Sequence, residues 1–168
     1  FSESLSRKTQ QDLEKLGVKV LTNTAVKEVL PDSIITTDGS VLSANTTVWA
    51  AGVKGVPAME KLHMPITRGR IDVTSTLQVT GYENIWALGD IAGVAGKDGN
   101  LLPMVAPVAM QQGRFLAKQI QALSSGKELS NFSYKDKGSM ATIGRHKAIV
   151  EVKGIRISGA IAWLAWLW

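Results

Sequence analysis

A chain of 168 residues with 45% hydrophobic and 20% charged side chains can bury a core, which excludes a disordered protein. It has no cysteine, which excludes a disulfide framework, a thiolate metal site and a cysteine nucleophile within these residues. The net charge of +5 is compatible with an anionic cofactor, an acidic lipid or a nucleic acid.

Residues 4–16 carry Leu5, Leu13 and Leu16 on one side of a helix, with Gly17 as its stop. Short β-rich runs follow at Val18–Leu21, Ala25–Leu30, Ser33–Thr37 and Thr46–Ala50, separated by the turn dipeptides Pro31-Asp32 and Asp38-Gly39. They predict one strand, a small antiparallel meander, and a strand leading into Ala51-Gly52. Residues 53–69 read as a loop containing Pro57 and Pro65. Asn84–Leu88 is short, apolar and aromatic and stops at Gly89-Asp90, the pattern of a buried parallel strand at its carboxyl edge. A glycine-rich loop from Gly93 to Gly99 leads to a helix from about Met104 to Leu123, ending near Gly126. Ser139–Ile143 and Ala148–Val152 predict a hairpin around Arg145-His146, and the tail is helical again.

The two ends and the charge distribution carry their own expectations. The chain opens on Phe1 without an initiator Met and stops at Trp168 inside an apolar stretch, so it reads as a fragment of a longer protein. Three of the five Trp, at 163, 166 and 168, fall in the last six residues. The stretch Ile157–Trp168 is uncharged but, at twelve residues, shorter than the ~20 a membrane-spanning helix needs. Residues 114–156 hold nine Lys and Arg against three Asp and Glu. Such a run is a solvated basic face or, next to an indole-rich tail, a membrane-surface anchor.

Two segments could carry chemistry. At Gly89 the backbone can approach a ligand closely, and the Asp90 carboxylate can accept hydrogen bonds from sugar hydroxyls at a strand's carboxyl edge. Asp90 can equally cap the following turn. The run LPMVAPVAMQQGR begins a helix with the small residues Ala106 and Ala109, where a flat ring could reach the partial positive charge of the helix terminus. Pro107 suits that first turn, and the same run also reads as a plain buried helix. His63 and His146 lack metal-ligand spacing, so no metal site is expected. No Gly-x-Gly-x-x-Gly, serine elbow or phosphate loop occurs. Only Phe115, Phe132 and Tyr134 interleave with the basic residues between Arg114 and Arg156, so no nucleic-acid partner is expected.

Together, WAAGV (Trp49–Val53), NIWALGDIAG (Asn84–Gly93), VAPVAMQQG (Val105–Gly113), FSYKDKGSMATIGR (Phe132–Arg145) and the tail ISGAIAWLAWLW resemble the type II NADH dehydrogenases. These are single-subunit, non-proton-pumping NADH:quinone oxidoreductases. The resemblance implies an α/β fold: part of a flavoprotein reductase with two Rossmann-like dinucleotide-binding domains and a carboxyl-terminal α+β membrane-binding module. Residues 1–48 would end the NADH domain, 49–123 would belong to the FAD domain, and 124–168 would form the truncated membrane and quinone module. It implies FAD and NADH as cofactors. Asp90 and Gly89 would serve the FAD ribityl or phosphate region, Ala106 and Val108 the flavin ring through their backbone, and Gly52 the nicotinamide dinucleotide. Gln111 would be the catalytic position near flavin and quinone. Many members begin this helix with Ala-Gln, whereas here Pro107 stands at the Gln position and removes one polar quinone contact. The partners implied are a membrane quinone and an anionic membrane surface, and a homodimer is allowed. The location implied is peripheral, on the cytoplasmic face of a bacterial inner membrane or the equivalent respiratory membrane. A sulfide:quinone reductase is disfavoured by the missing cysteines, a ferredoxin reductase by the Trp-rich tail, and a non-catalytic membrane adaptor would differ in binding no flavin.

Overall fold

A computed structural model describes every residue except Lys54, Val56 and Trp168. In chain order the elements are helix α1 (Glu3–Glu14), strands β1 (Val26–Val29), β2 (Ser33–Thr36) and β3 (Val41–Ser43), then a 3-10 helix at Pro57–Leu62. Strands β4 (Ile66–Thr67) and β5 (Arg70–Asp72) follow, with a 3-10 turn at Gly89–Ile91 leading directly into β6 (Ala92–Gly93). Helix α2 (Ala106–Ser124), strands β7 (Ser139–Gly144), β8 (Lys147–Val152) and β9 (Ile155–Gly159), and helix α3 (Ala160–Trp166) complete the chain. It divides into two compact units, Phe1–Ala50 with Lys137–Trp168, and Ala51–Asp136.

In the first unit, α1 forms where the sequence predicts it. It carries two i,i+4 ion pairs, the exposed Arg7 with Glu3 and the half-exposed Lys8 with the buried Asp12. Gly17 stops it through a Schellman pair of bonds, from the Gly17 N–H to the Glu14 carbonyl and the Val18 N–H to the Leu13 carbonyl. Strands β1, β2 and β3 form the expected antiparallel meander, with Val29 opposite Ile34 and Ile35 opposite Val41. The Asp38-Gly39 turn is held by the Asp38 carboxylate, which accepts from the Thr36 hydroxyl and the Ser40 N–H. Val18–Leu21 and Thr46–Ala50 are not strands. Val18, Leu21, Val48 and Trp49 are exposed, and neither run has a ladder partner among the described residues.

The predicted hairpin around Arg145-His146 forms β7 and β8, and β9 adds a third antiparallel strand through Val150 opposite Ile157. Helix α3 starts after Gly159 and lays Ala162 and Trp163 on a small core of Ala148 and Val150. Trp163 is therefore not displayed as Trp166 is. Its ring meets His146 edge to face, with centroids 4.5 Å apart. Trp166 is exposed, together with Ile161, Leu164 and Leu167. Trp168 lies outside the described residues.

The second unit has one continuous core of Met59, Ile71, Leu77, Val79, Ala87, Ala92, Val94, Leu102 and Val108. Asn84–Leu88 joins it, but not as a parallel strand. Its neighbour is the preceding segment, with an antiparallel bridge from Trp86 to Gln78 and bonds from the Val79 N–H to the Ile85 carbonyl and from the Ala87 N–H to the Leu77 carbonyl. Parallel pairing begins only past Gly89-Asp90, where β6 sets Ala92 opposite Ile71 of β5. Helix α2 starts with Pro107 in its first turn and ends in a second Schellman pair around Gly126.

Candidate functional site

The second unit brings together the Gly89-Asp90 corner and the start of α2. Gly89 has φ +74°, a left-handed conformation costly for any residue with a Cβ, and it lets the chain turn sharply out of the Ala87 core position. The turn Gly89–Ile91 packs against α2. The Gly89 N–H donates to Oε1 of Gln112 at 2.6 Å, and Gln112 is fully buried. Asp90 is exposed and forms no capping bond, so the turn-capping role open in the sequence is not taken. Its carboxylate projects from the corner without a hydrogen-bond partner among the described residues.

At the start of α2, Ala106 is exposed and Val108 is 2% exposed inside the core. The Val108 N–H is taken by the Val105 carbonyl at 3.0 Å, and Pro107 has none. Ala106 therefore presents the amide that the helix itself cannot satisfy, at the end carrying the positive pole of the helix dipole. Gly52, at φ +114°, is open, with nothing within 4 Å of a Cβ built on it.

Gln111 engages both ends of its side-chain amide with one backbone position. Its Nε2 donates to the Lys135 carbonyl at 2.9 Å and its Oε1 accepts the Lys135 N–H at 3.0 Å. Gln119, two turns further on, does the same for Ser130, donating to the carbonyl at 2.6 Å and accepting the N–H at 3.2 Å. Two side-chain amides thus take the place of a ladder strand for the segment 130–135. Phe132 completes the hold, with its N–H on the Ser75 carbonyl and its ring edge-on to Phe115.

The residues that sequence reasoning missed are Gln112 and Arg70. Gln112 had a legible signal: it lies four residues after Val108 on the apolar stripe of α2, where a buried amide must find partners. Arg70 had none, since Arg-Ile-Asp reads as an ordinary alternating edge strand. It is 5% exposed and donates from Nη1 to the Leu102 carbonyl at 2.8 Å. Among the described residues of this unit, the buried side-chain polar atoms lacking a partner are Arg70 Nε and Nη2, Trp86 Nε1 and Gln112 Nε2, and all are nitrogen donors. Among the described residues no cluster of His, Asp and Glu could hold a metal ion.

The chain is a mixed α/β protein in which a Gly-Asp turn packs against a helix. The model of the pyridine nucleotide-disulphide oxidoreductases matches residues 1–113, and the chain belongs to this family. Within it, the chain is 34% identical over 163 residues to the type II NADH:quinone oxidoreductase of Staphylococcus aureus (strain NCTC 8325 / PS 47), matching 95% of this chain and 40% of that protein. It is 33% identical over 186 residues to the mitochondrial internal alternative NAD(P)H-ubiquinone oxidoreductase A1 of Solanum tuberosum, matching 99% of this chain and 37% of that one. The chain thus spans about two fifths of the length of these relatives. The NDH2 of Plasmodium falciparum, solved in complex with NADH, has the same fold over 99% of this chain and 51% of its own, with a TM-score of 0.86 at 18% identity.

Proposed function

We propose that the chain is part of an FAD-dependent oxidoreductase that transfers two electrons from NADH to a membrane quinone without pumping protons. The observation that carries this reading is the Gly89–Gln112 bond, which holds a Gly-Asp corner beside the amino terminus of α2. Residues 1–48 would end an NADH domain, 49–123 would belong to an FAD domain, and 124–168 would form a membrane and quinone module.

The residues present fit a dinucleotide. Its phosphates and hydroxyls are rich in acceptors, and this unit has buried donors to spare at Arg70, Trp86 and Gln112. Gly89 has no side chain to obstruct a close approach, and the exposed Asp90 carboxylate can accept from ribityl hydroxyls. Ala106 offers a free amide and the helix dipole to a ring that gains negative charge. Gly52 leaves room beside the nicotinamide dinucleotide. When bound, FAD supplies the capacity to take a hydride and deliver two electrons. The chain's own work is to hold, orient and electrostatically favour, with little demand for side-chain acid–base chemistry. The Gln111 amide fixes Lys135 and so supports the site by holding the segment 130–135.

Membrane attachment is read from the first unit. No helix among the described residues is long and apolar enough to cross a membrane. Ile155, Ile161, Leu164, Trp166 and Leu167 are nevertheless exposed, with Arg145 and Lys153 exposed in the same unit. Exposed apolar side chains and exposed cations in one unit suit a peripheral protein on an anionic surface, here the cytoplasmic face of a bacterial inner membrane or its equivalent. The test is the full-length protein purified and read for flavin absorbance and for NADH-dependent quinone reduction. Colourless protein that leaves NADH unoxidised would defeat the reading.

A further inference from the structure

The Gly89-Asp90 corner rests beside a charge to which the proposed function assigns no separate role. Arg70 opens β5, and the parallel register that sets Ile71 opposite Ala92 brings it next to the turn carrying Asp90. A Cβ added at Gly93 would stand 3.7 Å from the Arg70 Cβ, so the arginine stem lies against the chain just after that turn. A guanidinium withdrawn this far from water is costly unless its five N–H donors are met. Here Nη1 is met by the Leu102 carbonyl, and Nε and Nη2 are not met among the described residues. Burial pushes the guanidinium pKa down and the negative charge of Asp90 pushes it back up, although no ion pair joins the two. Leu102 lies four residues before Ala106, in the lead-in to α2. One side chain therefore reaches both halves of the site, Asp90 by charge and the α2 entry by hydrogen bond.

Stability alone does not account for such a residue. A buried guanidinium with unmet donors lowers stability, so packing alone gives no reason for an arginine here. We infer that Arg70 is the positioning residue of this site, holding the Asp90 turn and the entry to α2 in one arrangement so that a bound dinucleotide meets both together. This rests on the reading of the corner as a flavin site.

A double-variant cycle in the full-length protein tests it, with FAD affinity measured by titration of the apoprotein and folding by its thermal unfolding. Arg70→Met is expected to weaken FAD binding roughly tenfold, the scale of one lost charge-assisted hydrogen bond, with the apoprotein still folded. Arg70→Lys is expected to recover part of that loss. Combining Arg70→Met with Asp90→Asn is expected to bind no worse than Arg70→Met alone, because both act through the same turn. Unchanged affinity in Arg70→Met, or losses that multiply in the pair, would overturn the inference. If the Met variant does not fold, Arg70→Lys takes its place in the cycle, and unchanged affinity or multiplying losses there would overturn the inference equally. Wild-type protein that binds no FAD would instead bring down the flavin reading, and the inference with it.

Discussion

Gln111 and Gln112 are neighbours in sequence but about 100° apart around α2, and that angle separates their roles. Gln111 faces the segment 130–135 and bonds Lys135, whereas Gln112 faces inward and bonds Gly89. Substituting Gln112 with Leu leaves the Gly89 N–H without its acceptor. The half-buried Gly89 N–H loses its acceptor while the unmet Gln112 Nε2 goes with it, so urea unfolding of the variant is expected to show a loss of about 1 kcal/mol. A stability equal to wild type would mean that water or another group takes over the bond. At Asp90, where the carboxylate has no hydrogen bond to lose, Asp90→Ala is expected to lower the FAD-to-protein ratio while lowering the unfolding temperature only slightly, through the lost attraction to Arg70. Retention of a full complement of flavin after purification would count against the role assigned to this carboxylate. Sequence could point to Asp90 because a Gly-Asp end to an apolar run is a local pattern. It could not point to Arg70, whose place beside Asp90 arises only from the pairing of β5 with β6, about twenty positions on.

Elements that close their own hydrogen bonds were the legible ones. α1, α2 and the β7–β8 hairpin satisfy their backbones locally, so periodicity and stop residues such as Gly17 and Gly126 suffice to find them. Val18–Leu21, Thr46–Ala50 and Asn84–Leu88 have strand composition, but a strand exists only with a partner, and composition does not name one. β9 was missed for the converse reason, since Ile155–Gly159 is brief and unremarkable until β8 pairs with it. The helix α1 also carries a pH-dependent contact. Asp12 is nearly buried, accepts hydrogen bonds from Lys8 at 2.6 and 2.7 Å, and lies 3.9 Å from Lys147 of β8. The Lys8 hydrogen bond, and then the charges of Lys8, Lys147 and Lys15, hold the Asp12 carboxyl below its ordinary value. A carboxyl depressed in the folded state stabilises it above the unfolded pKa, about 3.9, and loses that contribution as pH falls through the lower folded value. Asp12→Asn is therefore expected to cost about 1 kcal/mol at neutral pH, the partly exposed Lys8 limiting the effect. The gap in melting temperature between wild type and variant is expected to hold from pH 7 to about 5 and to close below about 4. A gap that persists undiminished at pH 3 would assign the effect to packing instead of charge.

For the whole molecule, the tail decides how a membrane test must be built. Cutting the chain at Arg156 looks from sequence like removal of a loose anchor. In the structure it would take away nearly all of β9, strip β8 of a ladder partner and uncover the core of Ala148 and Val150. Loss of membrane binding after such a cut would report unfolding as readily as lost anchoring. The faces of α3 separate the two. Ala162 and Trp163 hold the helix to the sheet, whereas Ile161, Leu164 and Trp166 are 70%, 54% and 52% exposed. Changing those three exposed residues to Ser removes exposed apolar surface and leaves Ala162 and Trp163 in place. Burying a large apolar side chain is worth about 1.5–3 kcal/mol. Even partial insertion of three side chains would make binding to anionic liposomes at least roughly tenfold tighter. The triple variant is accordingly expected to stay in the supernatant when wild type co-sediments with liposomes, and to oxidise NADH with a soluble acceptor at the wild-type rate. Co-sedimentation equal to wild type would move the attachment site away from α3. Loss of the soluble-acceptor reaction would show that these three residues of α3 serve the fold instead of the membrane.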